Sequence, residues 1–255
     1  MESPTGYYHA MMRGNNREAI FYKNSEKRLF LELLQQQVDD KNISLAAYCL
    51  MDNHVHLLIC SSLQEMSEAI KWINIKFAGN YNYKYQRVGH VFQGRFRSEI
   101  IDTERYFLQA MRYIHNNPVK AKIVKKAQSY EWSSYNSYIG HKCSVIAATE
   151  IQKVIALFSN SIRDYANFHL EEDDNEFLEI EEDLQKEREE KAGQIIKRYL
   201  RQRDTGAGIE GLLGLEKDIK ENIIKEMISK THLTHRRIAE LMGVSRGMVH
   251  SIAKK

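Results

Sequence analysis

Two different periods of apolar residues occur along the first half of the chain. Residues 6–14 alternate weakly between apolar and polar positions, which is typical of a strand, whereas residues 25–40 carry apolar side chains at helical spacing. Residues 43–51 and 54–60 are apolar runs separated by a polar pair, which predicts two strands joined by a tight turn. Strands and helices are therefore mixed in this region.

The same region continues with three further elements. Residues 64–80 show the helical period, and residues 96–101 are predicted to form a fourth strand. Thr103 is expected to cap the next helix, because its hydroxyl can accept a hydrogen bond from a backbone N–H of the first turn. Pro118 is expected to end that helix, because proline disfavours helical geometry at the residue before it. The order of elements predicts an α+β, ferredoxin-like fold, in which helices pack against an antiparallel sheet.

Near the end of the chain only the helical period occurs. Residues 218–230 and 234–243 each form an amphipathic pattern, the second closed by a glycine, and Ser245 is expected to cap a third helix. Two helices joined by a short glycine-containing turn are typical of a helix-turn-helix domain. An ordinary small helical bundle is the alternative, because the same shape also occurs without DNA.

Charge divides the chain into three parts. We predict an α+β domain over residues 1–145, an acidic helical linker over 146–190, and the all-α helix-turn-helix domain over 191–255. Residues 171–190 carry twelve Asp and Glu against two basic residues, a local balance of −10, so the rest of the chain sums to +13 although the net charge is +3. Two basic regions around an acidic stretch suit a nucleic-acid partner, with solvated surface charge as the alternative.

The composition excludes several classes of protein. A chain of 255 residues with 43% hydrophobic and 28% charged residues is ordinary for a globular protein. No apolar run approaches the ~20 residues of a membrane helix, and no secretory signal is visible at the start. The three cysteines form no Cys-x-x-Cys pair, which argues against a structural zinc site or a disulfide framework. We therefore expect a cytoplasmic protein without a membrane partner.

Two histidines in the third predicted strand are candidate metal ligands. His54 and His56 are separated by one residue, so their side chains point to the same face of the sheet and could form half of a divalent-metal site. Packing or chance is the alternative for an isolated pair. Tyr113 and Asn117 lie four residues apart on one face of the helix that is predicted to begin at Thr103, whereas His115 lies off that face and is a weaker candidate. An amide oxygen suits Mg²⁺ or Mn²⁺, and a phenolic oxygen near a cation can act as a nucleophile. A core tyrosine with an exposed hydroxyl is the alternative for Tyr113.

Five motifs occur in order along residues 6–140. They are YHAMMRGNNR (8–17), MDNHVHLLI (51–59), GHVFQGRFR (89–97), RYIHNNPVK (112–120) and YEWSSY (130–135). With these motifs the chain resembles the single-tyrosine HUH transposases, and within them the REP-associated tyrosine transposases.

This resemblance implies a catalytic apparatus and a substrate. Tyr113 would be the nucleophile, and His54, His56 and Asn117 would bind a divalent metal, Mg²⁺ or Mn²⁺. Hairpin-forming single-stranded DNA would be cleaved through a 5′-phosphotyrosine intermediate and later rejoined, by a monomer or a homodimer. A regulator that binds palindromic repeats without cleaving them is the alternative. Asp52 departs from the proline that is usual before the histidine strand, and we interpret it as turn chemistry rather than as an acceptor close to the metal.

Aromatic and basic residues interleave over residues 81–97. Stacking on bases combined with cations at phosphates is how single strands are bound without full sequence readout. Phe92 and Phe96 are expected in the core instead, and the loop after the first strand is as compatible with a plain connection as with a phosphate contact. The expected DNA-binding residues of the first domain are Arg13, Asn15, Arg17, Lys84, Arg87, Arg95 and Arg97. Those of the last domain, which would contact duplex DNA, are Arg236, Arg237, Ser245, Arg246 and His250.

Overall fold

A computed structural model describes residues 2–140, 145–171, 181–201 and 215–253, with side chains from residue 188 onward in the third range. The chain divides into two compact units, Met1–Leu178 and Glu179–Lys255. Residues 146–190, which the sequence assigns to a linker, are thus shared between the two units. Within the described ranges, no helix is long and apolar enough to cross a membrane.

The first unit contains a four-stranded antiparallel sheet. The strands are β1 (Tyr7–Arg13), β2 (Ser44–Leu50), β3 (His54–Cys60) and β4 (Arg97–Ile101), and their order across the sheet is β2-β3-β1-β4. The helices are α1 (Asn24–Asp39), α2 (Leu63–Tyr85), α3 (Glu104–Lys120), α4 (Tyr135–Tyr138), α5 (Ala148–Ala156) and α6 (Ile162–Phe168). The succession β1-α1-β2-β3-α2-β4 with this strand order is the ferredoxin-like arrangement, and the predicted α+β fold class is confirmed.

Alternation along β3 separates the core from the candidate site. Val55 and Leu57 are fully buried, and because successive side chains of a strand point to opposite faces, they lie on the face opposite His54 and His56. The core also holds a cluster of edge-to-face aromatic rings from α1 and α2, in which the centroids of Phe30 and Phe77 are 5.6 Å apart. The sheet therefore packs its apolar core on one face and carries the candidate site on the other.

Helix α3 begins as the sequence predicts but ends later. The Thr103 hydroxyl accepts a hydrogen bond from the backbone N–H of Tyr106 at 3.2 Å, which confirms the predicted cap. The helix continues through Pro118 to Lys120, so the prediction that Pro118 ends it is wrong by two residues. Proline removes only its own N–H, and the next turn is held because Pro118 is buried and the Ala121 N–H donates to the carbonyl oxygen of Asn117 at 2.9 Å.

Residues beyond the predicted first domain also pack in this unit. Val154 of α5 and Tyr165 of α6 are buried in the same core as the sheet. The Tyr7 hydroxyl donates a hydrogen bond to the buried carboxylate of Glu150 at 2.5 Å. Desolvation, followed by this hydrogen bond, raises the pKa of Tyr7 well above its usual value. The segment 145–171 is therefore an integral part of the first unit.

The second unit is helical in its described part. It contains α7 (Glu181–Arg201), α8 (Lys217–Thr231), α9 (His235–Met242) and α10 (Arg246–Ala253). The Thr234 hydroxyl accepts from the Arg237 N–H at 3.3 Å, and the Ser245 hydroxyl accepts from the Met248 N–H at 3.2 Å. Gly243, between α9 and α10, has a φ of +63°, a conformation that glycine adopts without steric cost. The helices, the caps and the glycine turn are therefore formed as predicted.

Candidate active site

The register of the sheet places the two histidines beside β1. His54 is paired with Arg13 and His56 with Met11, and the two imidazole centroids lie 5.0 Å apart. His56 is buried, whereas His54 is partly exposed. The predicted common orientation of the two rings is therefore present, with one ring toward the interior and one toward solvent.

Helix α3 crosses this face and brings Tyr113 and Asn117 to the histidines. The Tyr113 ring centroid is 5.4 Å from that of His56, at an interplanar angle of 90°. The Asn117 Oδ1 atom is 3.2 Å from His54 Nε2, and its Nδ2 atom is 3.3 Å from His56 Nε2. Four residues predicted from two separate motifs thus meet in one place.

The donor set fits a divalent cation. His54 Nδ1 lies 2.7 Å from Asn53 Oδ1, and in the tautomer that donates this hydrogen bond the Nε2 atom carries a lone pair. That lone pair then faces the Asn117 oxygen, and two acceptors at this distance are favourable only with a cation or a proton between them. Two imidazoles and an amide oxygen suit Mg²⁺ or Mn²⁺. Among the described residues, no three His, Cys, Asp or Glu side chains form a metal-binding group, so the amide is needed to complete the set.

A third histidine, His9 of β1, completes the cluster. Its Nε2 atom is 2.9 Å from Nδ1 of His56, and both side chains are buried. Because burial disfavours the charged imidazole, the pKa of His9 is lowered to about 3 and that of His56 falls well below its usual value. Both rings are therefore neutral near pH 7. The sequence motifs alone give His9 no role, although strand alternation places it on the same face as Met11.

Lys120 is a second residue beside the candidate site to which the sequence motifs give no role. Its ammonium lies 5.5 Å from the centroid of the Tyr113 ring. Tyr113, Asn117 and Lys120 are spaced by four and three residues, so helical periodicity could have placed them on one face. A cation beside the tyrosine suits an anionic phosphodiester at this site.

The loop after β1 lies directly beside the histidines. The Gly14 N–H donates to the Asn53 carbonyl at 2.8 Å, and the Asn15 N–H donates to the Val91 carbonyl at 2.9 Å. A Cβ at Gly14 would lie 2.1 Å from the Glu18 carbonyl oxygen, so only glycine fits this close approach. These bonds bring two predicted DNA-binding segments, residues 13–17 and 89–97, to the edge of the site.

The cations expected to bind DNA within residues 81–97 fall into two groups. Lys84 Nζ lies 2.6 Å from Glu26 Oε1, and Arg87 lies 3.0 Å from Glu18 Oε2, so both are paired with carboxylates. Arg95 and Arg97 are exposed, and no carboxylate within the described ranges pairs with either. Lys84 is used chiefly within the fold, because Glu26 also accepts hydrogen bonds from the backbone at the start of α1.

The aromatic residues of the same segment also differ in exposure. Phe92 is buried and Phe96 is half-buried against the core, as expected. Tyr81 is buried and Tyr85 is half-buried, whereas Tyr83 is 89% exposed. Among these three tyrosines, only Tyr83 presents most of its ring to a base in solution.

The predicted DNA-binding residues of the second unit also fall into two groups, those in ion pairs and those exposed on α10. Arg237 binds both carboxylate oxygens of Glu189, at 2.8 and 3.0 Å, and also lies 2.9 Å from Glu240. The hydrogen bonds with Glu189 and then Glu240 raise the Arg237 pKa above its usual value. Arg236 pairs with Glu240 at 3.2 Å. Ser245 and Arg246 are exposed at the start of α10, and His250 is exposed in its last turn.

Asp52 and His115 have structural partners. Asp52 Oδ1 lies 2.8 Å from the buried ammonium of Lys27, which agrees with the interpretation that its role lies outside the metal site. His115 is fully buried, with Nε2 2.8 Å from the Ser134 hydroxyl and Nδ1 3.0 Å from Nε2 of His169. His115 therefore faces away from the histidine pair and contacts no solvent.

Residues 3–117 match the family model described as "Transposase IS200 like". The resemblance to the single-tyrosine transposases is confirmed for this part of the chain, which carries all four residues of the candidate active site. A solved structure described as a REP-associated tyrosine transposase bound to a REP hairpin is similar, with 15% sequence identity and a TM-score of 0.46 over 58% of this chain and 88% of that chain. No curated protein matches the chain.

Proposed function

We propose that the protein is a metal-dependent, single-stranded DNA endonuclease and strand transferase that acts on hairpin-forming repeat DNA. The observation that carries the proposal is the convergence of Tyr113 with His54, His56 and Asn117 within one chain. The family match over residues 3–117 supports the transposase class. Because the nucleophile and the histidines come from the same chain, a single copy has a complete site.

The reaction follows from the chemistry of these side chains. The Tyr113 oxygen attacks the scissile phosphorus, an O–P bond forms, and the bond from phosphorus to the 3′ oxygen breaks. The phenolic proton is released to solvent, and the leaving 3′ oxygen takes up a proton to become a hydroxyl. The product is a 5′-phosphotyrosine, and a later attack by a hydroxyl reverses the exchange. Each step exchanges one phosphodiester bond for another of similar energy, so no ATP is needed.

Each protein group has a separate part in this reaction. His54, His56 and Asn117 would hold Mg²⁺ or Mn²⁺, which supplies charge neutralisation and polarisation at the phosphate when it is bound. The aromatic contact with His56 positions the Tyr113 ring. Lys120 adds positive charge beside the ring, and Arg95 and Arg97 offer phosphate contacts outside it.

A covalent-adduct assay tests the proposal. Labelled single-stranded hairpins are incubated with the full-length protein and Mg²⁺ or Mn²⁺, and the products are separated under denaturing conditions. We expect a protein–DNA adduct that requires metal and is absent with Tyr113→Phe. Tyr106→Phe, on the same helix, is the matched control and is expected to keep the adduct.

The same assay separates the enzyme from a binding protein. A Tyr113→Phe variant that still binds the hairpin but forms no adduct supports the assignment. Hairpin binding by the wild type without an adduct, at any metal concentration, would favour the non-cleaving regulator. An adduct that persists in Tyr113→Phe would assign the nucleophile to another residue.

We also propose that the second unit binds duplex DNA through α10. The capped start of α10, the glycine turn before it and the exposed Arg246 and His250 support this proposal. Arg237 contributes to the stability of the unit through its ion pairs rather than to the DNA contact.

A further inference from the structure

His9 is a buried histidine with one hydrogen-bond partner among the residues that the structure describes. Its side chain is fully buried, its Nε2 atom is 2.9 Å from Nδ1 of His56, and its Nδ1 atom has no hydrogen-bond partner in the described ranges. A polar ring that leaves one nitrogen unsatisfied is costly in a core, where an apolar side chain of similar size would pack without that cost. Within the described part of the chain, the hydrogen bond that His9 gains in return is the one to His56.

The two metal-facing histidines have matching environments at their inner nitrogens. His54 Nδ1 lies 2.7 Å from Asn53 Oδ1, and His56 Nδ1 lies 2.9 Å from His9 Nε2. A histidine binds a metal through one nitrogen only when that nitrogen carries no proton, so the other nitrogen must carry it. The Nδ1 atom of each histidine faces an atom that can accept a hydrogen bond from an Nδ1–H group.

We propose that His9 is a positioning residue: it accepts a hydrogen bond from the Nδ1–H group of His56 and thereby keeps the Nε2 lone pair of His56 directed at the divalent cation. This inference rests on the proposed function, because it concerns the metal of the same site. If His9 donated the hydrogen bond and His56 Nδ1 accepted it, Nε2 of His56 would carry the proton and could not bind the cation. The partner behind a metal-binding histidine fixes both its tautomer and its ring orientation.

The position of His9 follows from the sheet. β1 and β3 are antiparallel, with Met11 opposite His56 and His9 opposite Leu58, so His9 is the diagonal neighbour of His56 on the same face. The Tyr113 ring packs edge-on against both His9 and His56, at 5.9 and 5.4 Å between centroids. His9 can therefore hold the His56 ring against the tyrosine as well as fix its proton.

Two variants of similar size test the hydrogen bond. His9→Gln retains an oxygen that can reach the position of Nε2, whereas His9→Met has a similar length and no acceptor of comparable strength. Mn²⁺ affinity of the full-length protein, measured by calorimetry, is expected to fall by about 10–100-fold in His9→Met, the usual effect of removing such a partner. His9→Gln is expected to keep an affinity close to that of the wild type.

Nitrogen NMR on the Mg²⁺-loaded wild type provides a readout that needs no variant. Long-range proton–nitrogen spectra are expected to show the proton of His56 on Nδ1 and none on Nε2. A proton on Nε2 would overturn the proposal. So would an unchanged Mn²⁺ affinity in a folded His9→Met protein, or an equal loss in both variants, because an equal loss would show that the ring and not the hydrogen bond matters.

His54→Ala separates this inference from the proposed function. If His54→Ala abolishes Mn²⁺ binding while His9→Met leaves it unchanged, the metal site stands and only the role of His9 fails. If the wild type binds no Mn²⁺, or His54→Ala binds it equally well, the proposed metal site itself fails. Thermal unfolding of each variant confirms that the compared proteins are folded.

Discussion

His115 Nδ1 lies 3.0 Å from His169 Nε2, and this contact joins the tyrosine helix α3 to the residue that follows α6. The Asn116 side chain donates to the His169 carbonyl at 2.7 Å, and Arg112 donates to the Phe168 carbonyl at 3.2 Å. Polar residues of the RYIHNNPVK motif thus alternate in function: Tyr113 and Asn117 face the candidate site, whereas Arg112, His115 and Asn116 bind residues 168 and 169. The segment after α5 therefore holds α3 in place.

The buried histidines predict a pH-dependent stability. Burial is the largest cause that lowers the His169 pKa to about 4, and it lowers the His115 pKa well below its usual value. Below about pH 6.5 the unfolded chain takes up protons that the folded protein does not. The free energy of unfolding is therefore highest above pH 6.5 and falls toward pH 4, by about 3 kcal/mol from His169 alone.

Denaturant titrations at several pH values measure this effect. His169→Gln is expected to lower stability near pH 7 and to flatten the pH profile relative to the wild type. His9 and His56 contribute to the same pH window, so the difference between the two profiles is the relevant quantity. Parallel pH profiles of the wild type and His169→Gln would show that His169 does not cause this part of the stability loss toward pH 4.

Substitution of Asp52 is expected to lower the stability of the fold without changing its metal affinity. Asp52 and the Tyr130 hydroxyl, at 2.8 and 3.1 Å, are the hydrogen-bond partners of the buried Lys27 ammonium. Asp52→Asn leaves that ammonium without its counter-charge, and we expect unfolding to become easier by about 1–3 kcal/mol, since the carboxylate itself is largely exposed. Asp40→Asn is the control at an exposed site. Mn²⁺ affinity is expected to stay unchanged in both variants, and a marked loss in Asp52→Asn would place this carboxylate in the metal site.

Replacement by alanine is expected to affect DNA binding at Tyr83 and fold stability at Tyr81. Tyr83 is 89% exposed and Tyr81 is 3% exposed. Tyr83→Ala is expected to weaken single-stranded DNA binding by about 1–3 kcal/mol, the usual contribution of one stacked base, with no change in thermal stability. Tyr81→Ala is expected to destabilise the fold by about 3 kcal/mol, since it removes a buried ring. Unchanged DNA binding in Tyr83→Ala, measured by fluorescence anisotropy, would remove this ring from the DNA path.

Two arginines of the second unit provide a similar contrast. Arg246 is exposed at the start of α10, and Arg246→Ala is expected to weaken duplex DNA binding by about 1–3 kcal/mol if it contacts a base, or to reduce the salt dependence if it contacts a phosphate. Arg237→Ala is expected to lower stability by about 0.5–1 kcal/mol, because partly exposed ion pairs contribute little. Binding curves at several salt concentrations measure the first effect. Equal duplex affinity of wild type and Arg246→Ala would contradict the role of α10.

Local sequence determined the elements and the orientation of the first two site residues. Apolar periods predicted the four strands, and the alternation of β3 placed His54 and His56 on one face, because these features depend only on neighbouring residues. The Thr103 and Ser245 caps were predictable for the same reason. The place of Tyr113 and Asn117 opposite the histidines came from the family motifs, not from spacing.

Only the tertiary structure decided how polar side chains are paired. Lys84 and Arg87 resemble Arg95 and Arg97 in the sequence, yet the first two pair with Glu26 and Glu18, whereas the other two pair with no carboxylate among the described residues. His9 contacts His56 between two neighbouring strands, although the two residues are 47 positions apart in the chain. Such pairs depend on strand register and helix packing over long sequence separations, which hydrophobic periodicity does not encode, so the sequence determined the elements and the fold determined their partners.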